Sequence, residues 1–157
     1  MKISEYLQAD ISEDRIDFYY RKKTKEVSDL LGLLRKYNYR LVGKSEDNEV
    51  IFSLNDVYYF ESVDKKTFAC LEHDVLKVEI RLADFENAYF EYGFIRVNKS
   101  TILNVYKINS LKSELNMKVT ALLDNGEKVQ INRSYKSKFN LFLKTMNQGG
   151  FQNEVDK

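Results

Sequence analysis

Residues 94–105, FIRVNKSTILNV, combine residue types that can contact a nucleic acid. Apolar residues alternate there with cations and small hydrogen-bonding side chains, so an anchored backbone can present polar groups to a ligand. Cations attract phosphates, and amide side chains can pair with the edges of bases. The segment therefore offers four candidate contacts, which are Arg96, Asn98, Lys99 and Ser100.

Two further segments carry cations beside turn signals. VYYFESVDKK, residues 57–66, ends in Lys65 and Lys66, which we place in a turn after a strand. The triplet DNG at 124–126 is a hairpin signal, and QINRSYKSKF follows at 130–139. The candidate contacts in this last stretch are Asn132, Arg133, Ser134, Lys136 and Lys138.

The net charge of +1 hides an uneven distribution of charged residues. Residues 1–49 sum to zero, 50–93 to −5, 94–147 to +7 and the last ten to −1. A local excess of +7 favours attraction to phosphates with release of counterions. The alternative is that the lysines merely solvate the faces of strands, and charge alone leaves both interpretations open.

The residue patterns expected of an enzyme or a metal site are missing. His73 is the only histidine, and it lies in a Glu-His-Asp turn, where a solvated residue is far commoner than a general base. Cys70 is the only cysteine, which excludes an internal disulfide framework, and its apolar neighbours indicate a buried small hydrophobe. The six glycines form neither a Walker loop nor a dinucleotide-binding motif. We expect no enzyme activity, no cofactor and no metal.

Length and composition indicate one or two small globular domains, with 157 residues of which 43% are hydrophobic. No apolar run approaches the roughly 20 residues needed to span a bilayer. The N-terminus MKISEYLQAD lacks the regions of a signal peptide. A cytoplasmic protein is expected.

The first 48 residues predict a strand, a helix and a second strand. RIDFYY at 15–20 alternates like a half-buried strand, and YRLVGK at 39–44 returns as another. Thr24 can cap the intervening helix, whose apolar positions are Val27, Leu30, Leu31, Leu34 and Tyr37. Polar SEDNE at 45–49 marks a boundary. Residues 1–48 thus form an N-terminal extension that packs on the rest of the chain and is a candidate dimer or partner surface.

From residue 49 to 147 the pattern predicts a mainly β domain of the α+β class, with short antiparallel strands and one or two short helices. The first four strands are expected at 49–54, 57–63, 67–72 and 75–80. A helix at 81–92 ends near Gly93, and more strands come after it. Asn132 or Ser134 can cap a last helix, whose apolar face comprises Tyr135, Phe139, Phe142, Leu143 and Met146. Residues 148–157 lack periodicity, and a frayed tail is expected.

In order and spacing these segments resemble the LytTR family of bacterial DNA-binding domains, over roughly residues 49–147. The family's apolar-Glu-Ser strand end is matched by Phe60, Glu61 and Ser62, and its contact loop by residues 64–67. The signature F-x-R-x-x-x-S-x-x-x-N is matched by Phe94, Arg96, Ser100 and Asn104. The family's C-terminal helix start is matched by Arg133, Tyr135 and Lys136.

This resemblance implies sequence-specific binding to promoter repeats in double-stranded DNA, through loops and helix starts around 64–67, 96–101 and 132–138. Asn98 stands where the family commonly has histidine and Ser134 where it often has a second arginine, so the target sequence is expected to differ. Asn104 is better interpreted as a turn or backbone-bonding residue than as a DNA contact.

The resemblance also bears on partners. Only 48 residues precede the matched region, so we expect no receiver domain and no direct phosphorylation switch. Family members of this kind imply a small membrane-protein inhibitor as a partner, and a homodimer is a further expectation. The alternative function is a protein-interaction module that keeps the fold but binds a regulator or membrane partner, with RNA binding as a more distant one.

Overall fold

The computed structural model describes residues 1–147, in which the regular elements begin at residue 25. Three helices are α1 (Lys25–Asn38), α2 (Leu82–Tyr89) and α3 (Arg133–Asn147). The first five strands are β1 (Arg40–Ser45), β2 (Asn48–Ser53), β3 (Tyr59–Val63), β4 (Lys66–Cys70) and β5 (Val75–Val78). The other five are β6 (Phe94–Asn98), β7 (Thr101–Asn104), β8 (Ile108–Ser113), β9 (Val119–Leu123) and β10 (Lys128–Ile131). None of the described helices is both long and apolar enough to cross a membrane.

The strands form two antiparallel sheets. Seven of them lie in the order β2-β1-β5-β4-β3-β7-β6, and the other three in the order β10-β9-β8. Short strands joined by tight turns make this arrangement natural, because a two-residue turn can connect antiparallel neighbours only. The predicted class, short antiparallel strands with a few short helices, is confirmed.

Two hydrophobic cores lie on opposite faces of β6 and β7. Phe94 and Ile102 point into a core that α2 covers, where the rings of Phe60 and Phe85 stack with centroids 4.0 Å apart. Their chain neighbours Ile95 and Leu103 point into the second core, which the three-stranded sheet and α3 complete. Successive side chains of a strand alternate between faces, so these two strands are buried on both sides.

The predicted strand at 15–20 is wrong. These residues form no regular element, and Ile16 and Tyr19 are exposed. The physical reason lies in the sheet, where β1 already pairs with β2 on one side and β5 on the other. Residues 15–20 have no place in the strand order of either sheet, and alternation alone does not make a strand where no neighbouring strand supplies hydrogen-bond partners.

The turn that was expected to mark a boundary joins two strands of one sheet. Ser45 pairs with Asn48, and the intervening Glu46 takes a positive φ of 50°. The division proposed at residue 48 therefore falls at the first residue of β2, inside the β1–β2 hairpin. The predicted tail, 148–157, lies outside the described residues.

Helix α1 begins as predicted, with the Thr24 side chain accepting a hydrogen bond from the Val27 amide at 3.3 Å. Its buried face differs from the prediction at the C-terminal end. Tyr37 is 64% exposed, whereas the adjacent Lys36 is 1% exposed. Helix α1 packs across the 3₁₀ turns at 54–56 and 90–92. This packing turns Lys36 of its last turn toward the protein and Tyr37 toward solvent.

The Lys36 amine is held by neutral groups. It donates to Asn104 Oδ1 at 3.1 Å and lies 4.5 Å from the ring centroid of Tyr106. Burial, with a smaller effect from the charge of Lys107, lowers the pKa of Lys36 to about 7. Asn104 is fully buried, and its Nδ2 donates to the Val57 carbonyl at 2.7 Å, which confirms its expected backbone-bonding role.

Lys36→Met should remove a pH dependence of stability. The folded-state pKa of about 7 lies below the ordinary value of 10.5, so between these values the folded protein binds fewer protons than the unfolded chain. The free energy of unfolding of the wild type therefore rises with pH across that window. Below pH 7 the buried charge costs stability in full, on the order of 2–4 kcal/mol. Methionine avoids the cost, so Lys36→Met should melt several degrees higher at pH 6, with the difference shrinking by pH 9.

The matched control is Lys112→Met, which replaces an exposed lysine on β8. It should reproduce the wild-type melting curve at every pH. If Lys36→Met did the same, the amine would not be titrating in a buried site.

Candidate nucleic-acid interface

The β3–β4 and β6–β7 turns lie side by side at one end of the seven-stranded sheet. Strands β3 and β7 pair directly, with Glu61 opposite Thr101, and the Ser62 amide donates to the Ser100 carbonyl at 2.8 Å. The first turn is a two-residue connection in which Asp64 and Lys65 both have positive φ, 50° and 64°. Tight hairpins of this hand match the twist of the strands. The turn therefore projects Lys65 beyond the sheet.

The start of α3 is fixed to the same end. The Asn132 amide donates to the Val97 carbonyl at 2.9 Å. The Asn98 side chain donates through Nδ2 to the Gln130 carbonyl at 3.0 Å. These two bonds tie the last residues before the helix to the end of β6, so all three predicted segments converge. We call the surface formed by residues 64–67, 96–101 and 132–138 the contact end.

Four cations of the contact end extend into solvent: Lys65, Lys66, Lys99 and Arg133. Within residues 1–147 their side chains make no hydrogen bond or ion pair. Lys136 is half-buried and likewise has no such partner in the described part of the chain. Charges left without a counterion inside the protein produce an outward positive potential.

Arg96 supports the β6–β7 turn. Its Nη2 donates to the Lys99 carbonyl at 2.5 Å and its Nε to the Asn98 carbonyl at 3.3 Å. Its Nη1 faces Glu86 Oε2 at 3.4 Å. The rigid fork of a guanidinium suits such simultaneous contacts. Arg96 thus holds the backbone from which Lys99 projects.

Asn98 and Ser100 stabilise the same turn through hydrogen bonds to each other. Asn98 Oδ1 accepts hydrogen bonds from the Ser100 amide at 3.0 Å and from the Ser100 hydroxyl at 3.1 Å. Because the Asn98 Nδ2 already donates to Gln130, both ends of the amide are engaged inside the protein. The structure gives these two residues positioning contacts within the protein. Their DNA contacts stay predictions.

Helix α3 begins at Arg133, so Asn132 occupies the capping position and Ser134 lies inside the first turn. The predicted apolar face is confirmed at Phe139 and Phe142, which are buried in the second core, and the side chain of Met146 lies outside the described residues. Packing of that face leaves Arg133 and Ser134 exposed. The positive dipole end of the helix adds to the attraction for phosphates.

Glu86 is a functional candidate that the sequence analysis missed. Its Oε1 lies 3.2 Å from the Lys138 amine, while Oε2 lies near Arg96. The sequence around this glutamate gives no indication of its role, because its two partners, Arg96 and Lys138, come 10 and 52 residues later in the chain.

Cys70 conforms to the interpretation as a buried small hydrophobe. It is 5% exposed on β4, and burial raises the pKa of its thiol to about 11. The thiol is therefore protonated at neutral pH, which disfavours nucleophilic or metal-binding chemistry.

The fold and the contact end describe a β-rich domain that presents exposed cations on two turns and a helix start at one end of its sheet. The sequence model of the LytTr DNA-binding domain family matches residues 47–144. The chain belongs to this family, and the resemblance found in the sequence is confirmed.

Individual relatives agree with this assignment. The LytTr DNA-binding domain of a protein described as a methyl-accepting/DNA response regulator from Bacillus cereus has a similar structure, with a TM-score of 0.63 and 30% identity. The match covers 66% of this chain and 95% of that domain. An uncharacterised HTH-type transcriptional regulator of Staphylococcus aureus strain NCTC 8325 is 26% identical over 137 residues, 86% of this chain and 92% of that protein. A regulator of the same description from strain MRSA252 is 28% identical over 118 residues, 74% of this chain and 80% of that protein.

Asn98→Ala should destabilise the fold, because it removes the hydrogen bonds that join the β6–β7 turn to β10 and to Ser100. The two bonds of Asn98 to Ser100 are partly buried and its bond to Gln130 is exposed. A loss of about 1–2 kcal/mol is expected for the three together, measured as the free energy of unfolding in urea. The neighbouring exposed Lys99→Ala is the control and should unfold like the wild type. Equal stability of Asn98→Ala and the wild type would contradict the positioning role.

Proposed function

We propose that the chain is a sequence-specific transcription regulator that acts in the cytoplasm and binds promoter repeats in double-stranded DNA through its contact end. The observation that carries the proposal is the convergence of three cationic segments at one end of the sheet. Segments well separated in the chain meet there through the bonds from Ser62 to Ser100 and from Asn132 to Val97. A non-catalytic regulator is in keeping with membership of a DNA-binding family.

Phosphate contacts are best assigned to the cations at the tips of the two turns. Lys65, Lys66 and Lys99 are exposed on the hairpin turns or their edges, and nothing in the described chain neutralises them. Such contacts fix the position of a protein on the duplex without distinguishing sequence. Further contacts to the DNA backbone are proposed for Asn132 at the capping position and for three polar residues of the first two turns of α3, Ser134, Lys136 and Lys138.

The base contact is best assigned to Arg133. It is the first residue of α3, so it projects from a fixed helix end rather than from a turn. Its side chain is exposed and unpaired within residues 1–147. An arginine in the major groove can bind guanine O6 and N7 together.

Protein partners are proposed to use the N-terminal extension. Helix α1 leaves Leu33 and Tyr37 exposed, and the preceding segment exposes Ile3, Tyr6 and Leu7. These apolar side chains lie outside the region that the family model matches. A homodimer contact, or binding of a small membrane-protein inhibitor, would cover them without occupying the contact end.

Binding to duplex DNA should weaken steeply with salt, because each phosphate contact releases counterions. The measurement is a fluorescence-anisotropy titration of wild type and Lys99→Ala on promoter-derived and random duplexes, at several salt concentrations. Lys99→Ala should weaken binding to both duplexes alike. It should also lower the salt slope, the slope of log affinity against log salt concentration, by about one phosphate contact. Absence of wild-type binding at low salt would overturn the proposed function. An unchanged slope for Lys99→Ala would show that this residue points away from the DNA.

Arg133→Ala should reduce the discrimination between a specific site and the same site with a mutated guanine. Loss of a bidentate contact to guanine is worth about 1–3 kcal/mol of discrimination, while the melting temperature should hardly move. The matched control is Lys144→Ala, an exposed cation near the other end of α3, which should leave discrimination intact. An equal loss of affinity on all sequences would make Arg133 a phosphate contact instead.

A further inference from the structure

We infer that Glu86 is a positioning residue of the contact end, which limits the attraction of the protein to any DNA and increases its discrimination between sequences. This inference rests on the proposed function. It depends on the place of Glu86 between two cations that belong to different parts of the contact end.

Glu86 lies on the side of α2 that faces away from the first core. Its helix neighbours Phe85 and Tyr89 are buried against Phe60, whereas the Glu86 side chain is 23% exposed. The packing of those rings sets the rotation of the helix. The carboxylate is thereby fixed at the junction of β6 and α3, with one oxygen directed to each element.

One oxygen acts on the β6–β7 turn through Arg96. Glu86 Oε2 lies 3.4 Å from Arg96 Nη1, and the other nitrogens of the same guanidinium bind the carbonyls of Asn98 and Lys99. The carboxylate therefore fixes the orientation of a group that in turn fixes the backbone of the turn. Charge-assisted contacts in partly buried surroundings are stronger than neutral ones.

The other oxygen acts on α3 through Lys138. Glu86 Oε1 lies 3.2 Å from the Lys138 amine, whose chain neighbour Phe139 is fully buried in the second core. Lys138 is 57% exposed in its side chain, so it can extend toward a phosphate when the ion pair is broken. An exposed ion pair of this kind is weak, and a DNA phosphate is a competitive partner.

Glu86 has two opposing effects on DNA binding. Its negative charge partly neutralises Arg96 and Lys138, which reduces the attraction for any DNA. Its contacts also order the turn and hold the helix next to it, which preserves the geometry that base contacts require. A residue that merely stabilised the fold would not change the two quantities in opposite directions.

The test is Glu86→Gln, which keeps the shape of the side chain and removes its charge. Affinity for a random duplex should rise severalfold and the salt slope should steepen by about one contact, because Arg96 and Lys138 become available to phosphates. The ratio of specific to random affinity should fall by roughly fivefold or more as the turn loosens. Hydrogen exchange of the Lys99 and Ser100 amides in the free protein should become faster.

Asp84→Asn is the matched control, because it removes the same charge from an exposed position of the same helix. It should raise random-duplex affinity slightly and leave both the affinity ratio and the exchange of the turn unchanged. If Glu86→Gln behaved like Asp84→Asn, Glu86 would contribute charge alone and the inference would fail. It would also fail if Glu86→Gln kept the melting temperature of the wild type and weakened binding to both duplexes alike.

Arg96→Lys keeps the experiment decisive if Glu86→Gln folds poorly. A lysine retains the charge but cannot contact two carbonyls and a carboxylate in the same planar arrangement. The ratio of specific to random affinity should fall, while the dependence of affinity on salt should stay near that of the wild type. An unchanged ratio would contradict the inference that Glu86 positions the turn through Arg96. A wild type that bound no DNA would overturn the proposed function, whereas the exchange measurement would still decide whether Glu86 orders the turn.

Discussion

Burial of the β6–β7 hairpin on both faces is the constraint on which the rest of the structure depends. Phe94 and Ile102 fill one core, while Ile95 and Leu103 fill the other. A shift of the pairing by one residue would exchange the two sets, so the register of this hairpin is strongly specified. The turn at 99–100 therefore has a fixed place relative to both sheets.

This fixed turn organises the other two segments of the contact end. The β3–β4 turn is aligned with it by the pairing of β3 with β7, and the start of α3 by the bonds at Val97 and Asn98. The polar residues of the hairpin then divide into two groups. Arg96 and Asn98 satisfy the backbone of the turn and its neighbours, whereas the exposed Lys99 side chain extends toward solvent, where a ligand can reach it. Arg96 and Asn98 thus fix the conformation of the turn, and the adjacent Lys99 is the residue available to a ligand.

Much of this architecture was predictable from local pattern, because alternation and turn residues determine where short strands begin and end. The cap at Thr24, the helix within 81–92 and the apolar face around Phe139 are local features, and the structure contains them. The helix α2 itself ends at Tyr89, and a 3₁₀ turn continues from it to Gly93. The errors came from tertiary context. Residues 15–20 alternate like a strand but pair with no strand of either sheet. The buried side of the last turn of α1 is set by the elements that the helix crosses. Contacts of Glu86 with distant residues leave no trace in a single sequence.

The N-terminal extension reaches the same hairpin at its other end. Strand β7 begins at Thr101, beside the β6–β7 turn of the contact end. It ends at Asn104, which binds the buried amine of Lys36. Asn104 also bonds the Val57 carbonyl and the Tyr106 amide, so it fixes the entry to β3 and the exit from β7 together. Lys36 precedes the region matched by the family model, whereas Asn104 lies within that region and in the signature shared with the family. A helix outside the matched region therefore docks on a residue that the DNA-binding domain already needs for its own fold.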